Sequence, residues 1–316
     1  MKRFIIASGP GIFLKRPFSG ANSEAGYALF SILMISMIIY VISGAIIYSV
    51  HERVRLAGGI KDRTLAYLKS HSAVNRVIYD ILTSTFTPTG LTVWKKGQPV
   101  KNLNLYGNPA ALSEGTMVRL QDVSGMISPL FHPKLIKTLI KYLSKDSKKS
   151  NSFSDCLSDW QDPDDLKHLN GAESYEYKSS GYPYIPRNYY IQVTEEIMLL
   201  KGFDKTLFDQ IRDDLTYWGT GTINFLTMSE RLLRAILQDD SLADGIIQMR
   251  KDGVLNGRKF RNLTGIVSNE RYAFAPSGWI KIEVKSEAGE STDIIQTLIV
   301  KRETPEMPYM VTQWRR

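Results

Sequence analysis

YALFSILMISMIIYVISGAIIYSV, residues 27 to 50, is a run of 24 residues without one charge. As an α-helix it is long enough to cross the roughly 30 Å hydrocarbon core of a bilayer. Its flanks are sharp, with Glu24 just before it and His51, Glu52 and Arg53 just after. A core helix of a soluble domain keeps a polar stripe; this run has none and reads as a membrane span. A secretory signal peptide is the rival, but its apolar core is about 7–15 residues long and ends at a small-residue cleavage site. Ser43-Gly44-Ala45 could be such a site, yet the apolar run continues through Ile46, Ile47 and Tyr48. The anchor reading is the better one.

The flanks also orient the span. Residues 1–26 hold Lys2, Arg3, Lys15 and Arg16 against Glu24. A short positive segment stays cytoplasmic, which sends the remaining 266 residues (316 − 50) to the far side. The formal charge of +8 falls to 36 − 31 = +5 once those four bases and one acid are set aside. That excess permits a nucleic acid without demanding one. Cys156 is the only cysteine, so no internal disulfide forms and no cysteine metal spacing exists.

Outward from the span, residues 51–84 continue with helical spacing, Val74, Val77, Ile78, Ile81 and Leu82 forming a stripe that predicts burial. Unbroken, residues 27–84 would make a rod of about 87 Å at 1.5 Å per residue; Gly58-Gly59 is a candidate bend. Thr87-Pro88-Thr89-Gly90 ends the helix. Leu91–Trp94, Val100–Tyr106 and Met117–Val123 read as strands. Leu130–Leu143 predicts an amphipathic helix, and Lys145–Ser152 a polar linker. Helices are expected from Thr194, with Thr194 as cap, through Phe208, Ile211 and Leu215, and again around Leu232, Leu233, Ile236 and Leu237. From Gly257 the pattern returns to strands, at Tyr272–Phe274, Trp279–Val284 and Ile294–Lys301. Strands on both sides of a helical block predict one sheet with a helical insertion, an α+β fold.

Four carboxylates, Asp159, Asp162, Asp164 and Asp165, crowd seven residues, and Glu173 follows eight positions later. Such oxygens could hold a divalent cation, calcium above all. They also fit a solvated acidic turn in which Asp164 or Asp165 caps the next helix. Tyr175, Tyr177, Tyr182, Tyr184, Tyr189 and Tyr190 offer rings for stacking on bases or, in the preferred reading, for a protein interface. Lys201-Gly202-Phe203 between two predicted helices has the outline of a helix-hairpin-helix, which sets backbone amides against a DNA phosphate. No Walker loop, Gly-x-Ser-x-Gly or paired histidines occur, and His51, His71, His132 and His168 are scattered. The sequence does not read as an enzyme.

Several motifs together carry a family resemblance. Glu24-Ala25-Gly26 stands directly before Tyr27, as at a prepilin cleavage site, and the fifth residue after it is Ser31 where most pilin-like chains carry Glu. Further on come Asp122-x-Ser124-Gly125-x-Ile127, Asp159-Trp160-x-Asp162 with Gly171-Ala172-Glu173 and Tyr175, a Pro183 and Asn188 segment, a partial Asn-rich run at Asn224–Met228, and Trp314 near the end. This set resembles the minor pseudopilin K of type II secretion systems. A missing acid suits a filament tip: an acid in lipid costs several kcal/mol unless paired, and a tip subunit has no neighbour above it.

The resemblance implies a pilin-like spine helix packed on an antiparallel sheet, with a large inserted all-α domain similar to SAM and helix-hairpin-helix modules. It divides the chain into a leader (1–26), the span (27–50), spine and first strands (51–128), the inserted helical domain (129–256) and strands completing the sheet (257–316). It implies cleavage by the prepilin peptidase between Gly26 and Tyr27, and calcium in the insertion with Asp159, Asp162, Asp164 and Glu173 as candidate ligands. Ser31, Tyr40, Val74 and Ile78 on the spine are candidate interface positions. Implied partners are minor pseudopilins I and J, the major pseudopilin, the secretin, the inner-membrane platform and membrane lipid, with no nucleic acid. The implied place is the inner membrane, single-pass, with the bulk of the chain periplasmic. The rivals are a membrane-tethered DNA-uptake protein using the Lys201-Gly202-Phe203 hairpin, and a single-pass enzyme or sensor with an uncut leader.

Overall fold

The computed structural model describes residues 21–219, 221–302 and 304–316, with side chains from residue 27 onward. Most of the predicted leader, residues 1–20, lies outside them. Helix α1 spans Ala21–Thr83, so its backbone is helical across the predicted cut at Gly26 and through Gly58-Gly59. The chain divides into two compact units, residues 1–61 and 62–316.

In the first unit every side chain from Tyr27 to Val50 is exposed. The helix is long and apolar enough to cross a membrane, and its most apolar window is 0 % buried, which removes the core-helix reading. Ser31 Oγ donates to the Tyr27 carbonyl at 2.8 Å, so this polar residue carries no charge and meets its own hydrogen-bonding need within the helix.

In the second unit, α1 is followed by β1 (Thr85–Thr87), β2 (Gly90–Lys95) and β3 (Gln98–Asn104), an antiparallel sheet of their own. Strands β4 (Ala110–Ser113) and β5 (Thr116–Asp122) then lead into the insertion. Its elements are α2 (Pro133–Ser144), α3 (Ser147–Gln161), α4 (Ser174–Ser179), α5 (Lys205–Ile211), β6 (Ile223–Asn224), α6 (Glu230–Leu237), α7 (Asp240–Lys251), α8 (Gly257–Thr264) and β7 (Tyr272–Ala273). The chain returns as β8 (Trp279–Ala288), β9 (Ser291–Lys301) and β10 (Tyr309–Arg315). The second sheet runs β10-β9-β8-β5-β4, so the strands entering and leaving the insertion are paired neighbours, Asp122 opposite Ile280. One sheet interrupted by helices is the expected topology; the separate three-stranded sheet was not expected.

The α1 stripe Val74, Val77, Ile78 and Ile81 is buried against Val118, Leu120, Ile280, Ile282, Val284 and Ile295. Each such side chain contributes about 1.5–3 kcal/mol when fully buried. Val74 and Ile78 therefore face this chain's own sheet, which corrects their reading as interface positions: 3.6-residue periodicity marks a buried face without saying what buries it. Trp314, half-exposed, lies with its ring 5.4 Å from that of His71 on α1, capping this packing.

The Asp122 motif ties insertion to sheet. Its buried carboxylate accepts from Ser124 N (3.2 Å) and Ser124 Oγ (2.5 Å) on the outgoing strand's turn. It accepts from Thr227 Oγ1 (2.8 Å) and Asn224 Nδ2 (3.4 Å) inside the insertion. It also accepts from Ser277 N (3.1 Å) and Ser277 Oγ (2.7 Å) ahead of the returning strand. Gly125 packs so tightly on Thr227 that a Cβ there would collide with the Thr227 carbonyl oxygen.

The insertion departs from expectation in three places. Lys145–Ser152 is not a linker: Asp146 accepts from Lys148 N (2.8 Å) and Lys149 N (3.3 Å), capping α3, and the small Ser150 is buried. Thr194 does not cap a helix: its hydroxyl donates to Glu195, and Thr194–Leu199 is a 3-10 turn preceded by Val193. Residues 257–264 are helix α8 rather than the start of the strands. Asn256 caps it through Lys259 N (3.0 Å), and its one buried residue, Phe260, packs 5.3 Å from Phe225 and 5.6 Å from Phe274. The helical core thus reaches past residue 257. Phe260→Ala is expected to destabilise the second unit by about 3–5 kcal/mol, read as a fall in denaturation midpoint; a change below about 1 kcal/mol would place α8 outside that core.

Candidate metal centre

The Asp159-Trp160-x-Asp162 motif ends α3. Trp160 is buried with its ring 6.0 Å from Tyr177 and 6.3 Å from Tyr184, and Tyr182 lies 5.3 Å from Tyr177. This aromatic cluster fixes the last turn of α3, and Asp162 closes it with its N–H to the Ser158 carbonyl (2.9 Å). Of the tyrosines proposed for an interface, Tyr177, Tyr182 and Tyr184 pack inward, whereas Tyr175, Tyr189 and Tyr190 are exposed.

The carboxylates converge beside that cluster. Asp159 is fully buried; Oδ1 accepts from His168 N (3.1 Å) and His168 Nδ1 (2.5 Å), and Oδ2 has no partner. Asp162 Oδ1 is buried without a partner, and its Oδ2 stands 4.0 Å from His168 Nδ1. Glu173, 3 % exposed, heads α4 in a capping box with Glu176, yet neither of its carboxylate oxygens makes a well-formed hydrogen bond to a described group. Gly171 passes so close that a Cβ would run into Asp159 Oδ2. Ligand atoms of Asp159, Asp162 and His168 lie within 4.8 Å of one another.

Electrostatics give the same picture. Burial, and then the charges of Asp159, Asp162, Asp165 and Asp164, push the Glu173 carboxyl up to about 7. Burial and the neighbouring Asp164 and Asp159 raise Asp162, while the hydrogen bond to Asp159 raises His168. Buried carboxylates facing one another without donors are costly, and a cation among them removes that cost.

The structure brings Asp159, Asp162 and His168 within ligand distance of one another. Glu173, buried ahead of α4, feels the charges of Asp159 and Asp162 but stands outside that group, as does Asp164. Asp164 is exposed, and its Oδ1 accepts from Leu166 N at 2.8 Å within a turn; no helix begins there, so it does not cap the next helix as the acidic-turn reading had it, and Glu173 holds that position at α4. His168 was missed, because a lone histidine six residues after Asp162 has no helical or metal spacing to mark it. An all-oxygen donor set suits calcium, which takes six to eight oxygens and seldom imidazole. The residues present fit that ion, with Asp159, Asp162 and Glu173 as holders and His168 as a hydrogen-bonding neighbour. Among interface candidates in the first unit, Ser31 and Tyr40 are exposed.

Three of the four amides of the Leu200–Phe203 hairpin are engaged: Leu200 N donates to the Ile197 carbonyl (3.2 Å), Lys201 N to Tyr177 Oη (2.8 Å) and Phe203 N to the Leu200 carbonyl (3.1 Å). A phosphate-binding hairpin needs such amides free. Cys156 is buried, and that burial pushes its thiol up to about 11, which makes it unreactive.

Residues 127–218 match the family described as type II secretion system (T2SS), protein K. The fold is shared with a chain in the crystal structure of the GspK–GspI–GspJ complex from the enterotoxigenic Escherichia coli type 2 secretion system. The TM-score is 0.52 at 17 % identity, over 83 % of this chain and 98 % of that one. No curated protein matches the chain.

Proposed function

We infer, from the match of residues 127–218 to the family described as type II secretion system protein K, that the chain serves as a minor pseudopilin at the tip of the pseudopilus. The observation that carries this reading is the placement of the matched segment between paired strands of a sheet packed on the Val74–Ile81 stripe of α1, the helix that begins with the apolar run. In this reading the helix lodges in the inner membrane with the N-terminus cytoplasmic and the second unit periplasmic. It later leaves lipid to join the helices of pseudopilins I and J and the major pseudopilin, as the GspK–GspI–GspJ assembly suggests by analogy. The helical insertion caps the filament below the secretin, and the inner-membrane platform drives it. The work is structural, in protein export, without a catalytic step.

Ser31 supports the tip position, since its side chain is neutral and bonded within its own helix, so it asks for no partner's amine. Calcium bound by Asp159, Asp162 and Glu173 would hold the end of α3 to the start of α4. The processing step has a direct test, mass spectrometry of the mature N-terminus in cells with and without the prepilin peptidase. Cleavage between Gly26 and Tyr27 that depends on the peptidase is expected; an intact Met1 chain in both strains would defeat the reading and favour an uncut anchor.

A further inference from the structure

A second concave site lies away from the acidic cluster, where α2, the first half of α3, the Leu200–Phe203 turn and α5 meet around a cavity of about 510 Å³. That volume is within the roughly 300–1,000 Å³ of small-ligand pockets. Leu143, Phe153 and Phe203 supply its apolar wall, the two phenyl rings 5.2 Å apart. Lys148, Lys149 and Lys201 stand among its lining residues. Lys148 and Lys149 are exposed, and none of the three is in an ion pair among the described residues; Lys201 Nζ reaches only the Glu176 carbonyl, at 3.3 Å. The one acid in the lining, Asp204, is committed to capping α5 through Thr206 N (2.9 Å) and Thr206 Oγ1 (2.6 Å).

We propose that this pocket binds a carboxylate joined to an apolar body, the hydrophobic part against Phe153 and Phe203 and the carboxylate among Lys148, Lys149 and Lys201. Unpaired ammonium groups at the rim of an apolar hollow complement that chemistry: the hollow excludes water from the apolar part, and the lysines meet the charge without being buried. Duplex DNA fits less well, because three of the four hairpin amides are already bonded and the lysines border a hollow instead of a surface that follows a phosphate backbone. Two sources share the favoured chemistry, a free organic acid and an acidic, hydrophobic segment of another protein.

The test uses the full chain in lipid nanodiscs and saturation-transfer NMR titration with four probes. These are 4-phenylbutyrate, its uncharged amide, the capped peptide acetyl-Glu-Phe-Leu-Glu-amide, and a 20-base-pair DNA duplex. Both carboxylate probes should bind, with the amide at least tenfold weaker than the acid. The double variant Lys148→Glu, Lys149→Glu, at exposed positions, should lose at least tenfold for both while melting as the parent chain does, and Phe203→Ala should weaken both. A peptide tighter than the free acid assigns the site to a protein segment; the reverse order assigns it to a free acid. The proposal is overturned if the amide binds as well as the acid, if the lysine reversals leave binding unchanged, if neither carboxylate probe binds at millimolar concentration, or if only the duplex binds.

Discussion

Chelation of the purified protein is expected to lower its melting temperature, and calcium to restore it. At calcium a hundredfold above Kd, binding to the folded state alone contributes about 2.7 kcal/mol, and for a domain of this size that is about 5–10 °C. The effect is large because removing the ion does more than break bonds to it. Asp159 Oδ2, Asp162 Oδ1 and both Glu173 oxygens are then left buried without donors among the described residues, and burial, with the neighbouring acids second, pushes the Glu173 carboxyl up to about 7. Asp159→Asn removes one of these charges and should abolish the response to chelator while keeping the fold. Asp164→Asn, at the exposed turn, should keep it. Equal melting curves with and without chelator, in protein first saturated with calcium, would leave the acidic-turn reading in possession.

Asp122→Ala is expected to cost about 4 kcal/mol or more. The six polar contacts to its carboxylate come from Ser124, Asn224, Thr227 and Ser277, which belong to three separated parts of the chain. Truncation strands the Ser124 backbone N–H and the Asn224 side-chain amide, both in buried residues, and each unsatisfied donor costs about 1–3 kcal/mol. Asp122→Asn keeps acceptor capacity on one oxygen and should cost roughly half as much. Because Asp122 joins sheet to insertion, the alanine variant should also expose the insertion to protease before the sheet. Denaturant unfolding in detergent reads the first effect and limited proteolysis the second. A loss below about 1 kcal/mol would mean that the insertion is held to the sheet by packing alone.

What could be read from the sequence was what repeats or clusters. The uncharged run at 27–50, the spine stripe and the alternating strands declare themselves by period, and the acids declare themselves by crowding. Elements carried by single contacts stayed hidden. Helix α3 begins in a lysine- and serine-rich stretch whose only helical mark is the Asp146 cap, and α8 contributes one phenylalanine to the core. His168 joins the carboxylates through a loop whose course no spacing encodes. Val74 and Ile78 show the reverse failure, a correct stripe assigned to the wrong neighbour because burial against self and burial against a partner have the same pattern.

The central claim concerns position in an assembly, so labelling that position tests it most directly. With a gold-binding tag after Arg316 and pseudopili assembled from this chain, pseudopilins I and J and the major pseudopilin, electron microscopy should show one label at one end of each filament. Label distributed along the filament sides, or filaments of unchanged number and length that carry none, would contradict the account.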